Sequence, residues 1–346
     1  MAGSAFDEEL AKVVDAANRQ RGMTPSDDLI RALNTLADLP PQQRETARTV
    51  VGNALARVAS PTGAGFLSVW LGAGVENGAT PEPSCQPVID TFMKWSRTVE
   101  TLTDGSDAET ASTPQPDAET INGLQLLGQA LVAHIGRLPK VREWMRDTEE
   151  IREEFERIAG ISIGAAWVVQ LITQCSGQLV VLNTAEKIGV LVRYANISNC
   201  FHLFTLLQAA VAGAMPDALP IDPRLYEIAC GRQQGECGDK ALWHYGQPTV
   251  PRAELPATVW GEMPPSSIAS IDGQQALLLW PRVMARSWDS GFFSPILATS
   301  LPEVDILKSL SSDEVDAWWT RLGLPAPKRP VRRSWRPKLS WRSRGV

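Results

Sequence analysis

The stretch from Gln178 to Val211, QLVVLNTAEKIGVLVRYANISNCFHLFTLLQAAV, constrains the fold of this chain more than any other. Two short apolar, β-branched runs in it are bounded by Asn, Gly and Ser, which is how strands are written. Thr184 to Ile188 between them is of hairpin length, so the runs should be antiparallel neighbours. Ser198 then stands at an N-cap position, and Phe201, Phe204, Leu207 and Val211 follow at helical spacing. A hairpin apolar on both faces needs a cover, and that helix can supply one. This is a fold nucleus without chemistry.

At 346 residues the chain has room for about two domains of roughly 150 residues each. A hydrophobic fraction of 44% and a charged fraction of 21% exclude bulk disorder and a fibrous class. The opening MAGSAFDEEL is acidic where a secretory signal would be basic and then apolar, so a cytoplasmic location is expected. The longest apolar runs, Ile161 to Thr173 and Leu203 to Ala214, fall short of the ~20 residues that span a bilayer, and no membrane insertion is expected. Five cysteines (Cys85, Cys175, Cys200, Cys230 and Cys237), odd in number and without framework spacing, suit free thiols.

Charge is unevenly placed. From Pro325 to Val346 there are eight Lys or Arg and no acid, leaving 25 of the 33 basic residues to face all 39 acidic ones. An acidic body therefore carries a cationic C-terminal arm.

The first 60 residues read as three helices. Ser4 is placed to cap the first and Gly22 to end it; Thr24 to Asp27 resembles a helix start with Pro25 at its first position. The third follows Pro40-Pro41, with Ala47, Val50, Val51, Ala54, Leu55 and Val58 on one face. The glycines of Gly63 to Gly78 invite a phosphate-loop reading, but no strand precedes them and no Lys-Ser/Thr follows, so small residues for close helix packing are the better account. Further helices are expected over Asp90 to Val99 and Ile121 to Ile135, with one charged helix across Arg142 to Arg157. Ile161 to Cys175 is apolar nearly all round and should lie inside. Residues 101–120, almost without apolar content, read as a linker or surface loop. The expected division is a helical domain over 1–100, the linker, an α+β domain over 121–324 and a disordered basic tail over 325–346.

In the C-terminal part, Ala241 to Tyr245 and Ala257 to Trp260 are candidate strands. Asp272-Gly273 between Ile268–Ile271 and Ala276–Trp280 is the strongest hairpin signal. Arg282 to Trp288 reads as a short helix. Ser311 with Glu314 forms a capping box for a last helix that Gly323 ends. No repeat of solenoid period is present.

The three histidines are His134, His202 and His244. His202 shares a polar stripe with Thr205 and Gln208 on an otherwise apolar helix, the usual setting of a histidine hydrogen-bonded at a packing edge. His134 ends a leucine-rich helix, where its protonated form would suit the dipole. Cys230, Cys237 and His244, with Cys200 and His202, raise a zinc site, but gaps of six residues are not the paired spacing such sites use, and no metal or cofactor is expected. Cys200 lies near a helix start, yet i and i+2 side chains point apart, so His202 cannot activate it. No G-x-S-x-G elbow occurs. His244, Glu262, Arg282 and Asp289 gather among tryptophans near expected strand ends, where an acid, a base and an anion clamp can meet; the simpler account pairs Glu262 with Arg282 or Arg286 at a sheet edge. In the tail, Arg332, Arg333, Trp335, Arg336, Lys338, Trp341 and Arg342 combine cations with indoles, and Pro330 and Pro337 oppose a helix.

The sequence thus reads as α+β, mostly helical in its N-terminal half, with a smaller mixed or antiparallel sheet and covering helices after it. The function read from it is a non-enzymatic interaction or adaptor protein that uses the arm on an acidic protein partner or on a second copy of itself. The alternatives are a hydrolase-type enzyme built on His244, Glu262, Arg282 and Asp289, and a nucleic-acid-associated protein binding through the tail.

Overall fold

The computed structural model describes residues 2–99, 117–289 and 300–324. The chain divides into two compact units, Met1–Ile172 and Thr173–Val346.

The first unit is all helix: α1 Ala2–Arg19, α2 Asp27–Ala37, α3 Pro41–Ala54, α4 Pro61–Glu76, α5 Glu82–Ser96, α6 Ala118–Ile135, α7 Pro139–Asp147, α8 Glu149–Ala159 and α9 Ile163–Ile172. Proline opens α3, α4 and α7, where its missing N–H costs no helical bond. Several boundaries differ from expectation. Ser4 lies inside α1, and Ser26 caps α2 through the Leu29 N–H at 3.3 Å, leaving Pro25 outside. The helix expected from Asp90 already starts at Glu82. The charged segment is two helices, because Thr148 adopts an extended ψ of 103° between them. Ile163 is exposed, so the apolar α9 is not buried all round.

The glycines of α4 are packing residues. A Cβ on Gly65 would stand 2.7 Å from the Leu126 Cβ of α6, and one on Gly72 would stand 3.1 Å from the Ala130 Cα. Gly123 meets the Pro61 backbone, and Gly128 meets Gly164 of α9. Helices α4, α6 and α9 thus approach at backbone distance. This close packing also moves the boundary expected at 101–120, since α4 and α6, on either side of that stretch, belong to the same unit. Its polar composition carries no information about where the flanking helices dock. Residues 100–116 lie outside the described part.

The second unit is α+β: β1 Cys175–Asn183, β2 Ile188–Ile197, α10 Cys200–Val211, α11 Pro223–Ala229, β3 Gly238–Lys240, β4 His244–Gly246, β5 Ser270–Ile271, β6 Gln274–Trp280, β7 Ser287–Asp289, β8 Glu303–Ser309 and α12 Ser312–Leu322. The main sheet runs β4-β6-β1-β2-β8, with β5 also on β6, and β3 pairs with β7 separately. The expected hairpin is present, Leu179 opposite Val192 and Asn183 opposite Ile188. β1 and β6 are parallel, which makes the sheet mixed.

Period-two alternation divides the strands between two cores. Leu179, Val181, Val190, Val192 and Tyr194 pack with Phe204, Leu207 and Val211 of α10. Val180, Leu182, Ala276, Leu278 and Trp280 pack with Val315, Trp319 and Leu322 of α12. Helix α10 is the expected cover, although its cap is Asn199 rather than Ser198: the Asn199 side chain accepts from the His202 N–H at 3.0 Å. Asp272 and Gly273 take φ of 51° and 79°, the left-handed pair of a type I′ turn. Ser311 and Glu314 form the capping box, and Gly323 ends α12 at φ 59°.

Three expectations fail here. Arg282 to Trp288 is not helical, because Ser287–Asp289 is drawn off as β7 against β3. The segment expected as a strand from Ala257 begins as a 3₁₀ turn, Leu255–Ala257, and touches β4 through one bridge, Gly246 to Thr258. β8 went unread because its charged residues mask the alternation. Among the described residues no helix is long and apolar enough to cross a membrane.

Candidate functional site

The polar stripe on α10 is the inner wall of a buried hydrogen-bond network. The Thr205 hydroxyl donates to Asp239 Oδ2 at 2.7 Å, Gln208 Nε2 donates to the same oxygen at 3.1 Å, and the Lys240 N–H reaches Oδ1 at 2.7 Å. The Trp288 indole donates to Thr205 Oγ1 at 3.1 Å, while the Tyr245 hydroxyl and the Leu242 N–H both donate to Gln208 Oε1, at 2.8 and 2.9 Å. Asp239 is buried and its carboxylate is met by oriented dipoles. Tyr245 stacks on Phe204, centroids 3.6 Å apart, and burial followed by the nearby Asp239 raises its hydroxyl well above the ordinary tyrosine pKa. The network ties α10, β3, β4 and β7 together. Sequence reading had found Thr205 and Gln208 through helical spacing; Asp239 and Tyr245 carry no local signal.

His202 itself points elsewhere. Its Nε2 donates to the Ala229 carbonyl at 2.7 Å, and burial pushes its pKa down to about 4. His134 is likewise neutral and internal rather than a charge on the helix end. Its Nδ1 donates to the Ala130 carbonyl at 2.7 Å and its Nε2 accepts from the Ser84 hydroxyl at 2.8 Å, with burial lowering its pKa. A serine bonded to an imidazole resembles a nucleophile with its base. Both groups are buried, however, and a carbonyl stands where an orienting carboxylate would be. The Cys200 thiol is pushed up to about 12 by burial, which disfavours the nucleophilic thiolate. Among the described residues no group of three His, Cys, Asp or Glu side chains is placed to hold a metal ion.

The four candidate catalytic residues differ in burial. His244 is buried on β4, whereas Glu262, Arg282 and Asp289 are exposed. Among the described residues no hydrogen bond or ion pair links any two of them, and none joins Glu262 to Arg282 or Arg286. Asp289 sits opposite Gly238 in the two-stranded sheet. The candidate binding residues of the tail, Arg332 through Arg342, lie outside the described residues.

A different grouping forms around His244. It stands opposite Trp280 in the β4–β6 pairing, so the two side chains share the face toward α12. The Trp280 indole nitrogen lies over Gly246, where an added Cβ would come within 2.8 Å. The Arg286 guanidinium stacks on Trp260 at 4.8 Å, and Trp260 follows Val259, whose N–H bonds the Tyr245 carbonyl. The Arg286 carbonyl accepts from the Ala241 N–H at 3.0 Å, three residues before β4. Burial, with the Arg286 charge as the smaller cause, lowers the His244 pKa against the opposing effect of the Glu254 carbonyl. His244 Nδ1, Trp280 Nε1 and Arg286 Nη1 are buried atoms with no hydrogen-bond partner. The exposed apolar side chains Leu255, Trp260, Val283 and Met284 lie on the two segments that the Arg286–Trp260 stack joins.

Compared with known proteins, the chain matches no family model, no curated protein and no solved structure.

Proposed function

We propose that this is a non-enzymatic interaction protein whose partner is acidic and partly apolar. The observation that carries the reading is the paired loop surface: Leu255, Trp260, Val283 and Met284 are each between 42% and 53% exposed, with Arg286 stacked on Trp260. Tryptophan, methionine and arginine are the residue types that interface centres favour. Arg282 and Arg286 have no ion pair among the described residues, so their charge is available to a partner's carboxylates. The cationic arm from Pro325 to Val346 adds long-range attraction for the same sign of partner.

A capped polyglutamate peptide tests the electrostatic half directly. Its affinity for the intact chain falls about tenfold or more as salt rises from about 50 to about 200 mM, since exposed charges are screened beyond roughly 10 Å. Deleting Pro325 to Val346 removes most of that salt dependence. Binding that ignores salt, or survives the deletion unchanged, overturns the role of the arm.

A further inference from the structure

We propose that the corner where β4, β6 and the Arg282–Arg286 segment meet is a socket for a single carboxylate, carried on an apolar stretch of the partner protein. This deepens the function just proposed and rests on it. Three observations converge. First, three buried nitrogens, on the Arg286 guanidinium, the Trp280 indole and the His244 imidazole, have no partner, and His244 and Trp280 stand opposite one another in the β4–β6 pairing. Native interiors leave few such groups, and each marks a place where an acceptor is wanted. Second, the indole and guanidinium nitrogens can act only as donors, and the neutral imidazole brings either a donor or an acceptor at Nδ1 according to tautomer. A carboxylate, with two oxygens and about four lone-pair sites, answers a fork of donors of this kind and neutralises Arg286 as well. Third, the segments that carry Arg286 and its stacking partner Trp260 also carry exposed apolar side chains, Val283 and Met284 on one and Leu255 on the other.

The burial of the donors defines how entry works. His244 is 1% exposed and Trp280 8%, both held in paired strands, while Arg286 is partly exposed at the end of a loop whose other residues, Arg282 to Ala285, are exposed. Arg286 is thus the group that moves: its guanidinium leaves the Trp260 face to receive the carboxylate and carries it toward Trp280 and His244. The ligand class follows from this geometry. A glutamate side chain is long enough to reach past those apolar side chains, and an adjacent leucine-like residue covers Trp260 and Met284.

The probe is acetyl-Glu-Leu-Glu-amide titrated into the intact chain labelled at its tryptophan indole nitrogens, with the Trp280 resonance assigned by Trp280→Phe. The Trp280 indole signal should move saturably with this peptide and stay still with acetyl-Gln-Leu-Gln-amide. Arg286→Met, which keeps an apolar stem over Trp260, should weaken the affinity at least tenfold with the folded spectrum retained. A Trp280 signal unmoved by the glutamate peptide, or moved equally by the glutamine peptide or in Arg286→Met, overturns the socket and leaves these nitrogens to buried water. Deleting Pro325 to Val346 should leave this titration unchanged. Loss of polyglutamate binding with the socket intact therefore reads as a failure of the arm, and the converse as a failure of the socket.

Discussion

Tyr245 and His244 are adjacent on β4 and face opposite sides of the sheet, and their surroundings differ sharply. On the Tyr245 side, Thr205, Gln208, Asp239 and Trp288 satisfy one another in a closed set of hydrogen bonds. On the His244 side, the His244 Nδ1 and the Trp280 Nε1 opposite it are buried without partners, as is Nη1 of the nearby Arg286. A buried polar network is stabilising when every member is satisfied and costly when it is not. The closed side therefore holds the fold together, and the open side is where the proposed partner would supply the missing acceptor.

The sharpest way to break this contrast is to open the closed side. Asp239→Ala leaves the Thr205 hydroxyl, Gln208 Nε2 and Lys240 N–H without their acceptor. Hydrogen bonds to charged groups are worth more than neutral ones, and orphaned buried donors add their desolvation, so the expected loss is about 4 kcal/mol in urea unfolding followed by the fluorescence of Trp288 and its neighbours. A loss below about 1 kcal/mol would mean that Asp239 is a bystander and that the two sides of β4 do not differ in kind.

Acid offers a second test. His202 has its pKa depressed from 6.5 to about 4 by burial, so the unfolded chain binds a proton between those pH values that the folded chain refuses. Stability from this group is complete above about pH 6.5 and is lost as pH falls toward 4, by about 3 kcal/mol. His134 and His244 are shifted in the same direction by burial and add to the slope. Urea midpoints across this window should fall with pH, and the fall should flatten in His202→Gln. A slope unchanged by that substitution would place the proton elsewhere.

What was legible in the sequence follows from the range of the interactions involved. The β1–β2 hairpin, the helix after it, the Asp272-Gly273 turn and the Ser311–Glu314 box are set by residues within a few positions of one another and are legible, although β1 starts at Cys175, three residues before the expected Gln178, and the cap of α10 is one residue later than expected. The α+β class followed from these. The extent of the helical unit was not legible, because Gly123 and Gly128 decide it by contact with Pro61 and Gly164, far away in the chain. β7 and β8 were missed for a similar reason: short or charged strands are fixed by partners, here β3 and β2. Of the proposed cluster, His244 belongs to the corner the structure singles out and Arg282 opens the exposed segment beside it, while Glu262 and Asp289 are exposed and, among the described residues, make no hydrogen bond or ion pair with either. Trp280 came in through cross-strand register, which no spacing rule supplies.

A milder cut on the closed side calibrates the scale. Tyr245→Phe removes one donor to Gln208 Oε1, which keeps the Leu242 N–H at 2.9 Å, and leaves the stacking on Phe204 in place. The expected cost is about 1 kcal/mol by the same urea measurement. A cost near that of Asp239→Ala would show the network to be cooperative beyond its pairwise bonds, which a double substitution would confirm by non-additivity.

The smallest expected effect lies on the open side and separates the two regions most cleanly. His244→Leu replaces an imidazole whose Nδ1 has no well-formed partner, whose Nε2 meets Thr258 Oγ1 at a long 3.5 Å and which the Glu254 carbonyl also faces, while the Thr258 hydroxyl keeps that carbonyl at 3.4 Å. Removing a buried polar group that is unsatisfied returns its desolvation cost, and leucine retains most of the packing, so stability should stay within about 1 kcal/mol of the parent or rise. The same substitution should weaken the glutamate peptide, since it deletes one lining group of the socket. Stability that holds while acidic-peptide binding falls is the pattern of a residue kept for recognition; a loss of more than about 2 kcal/mol would instead make His244 a structural residue like Tyr245.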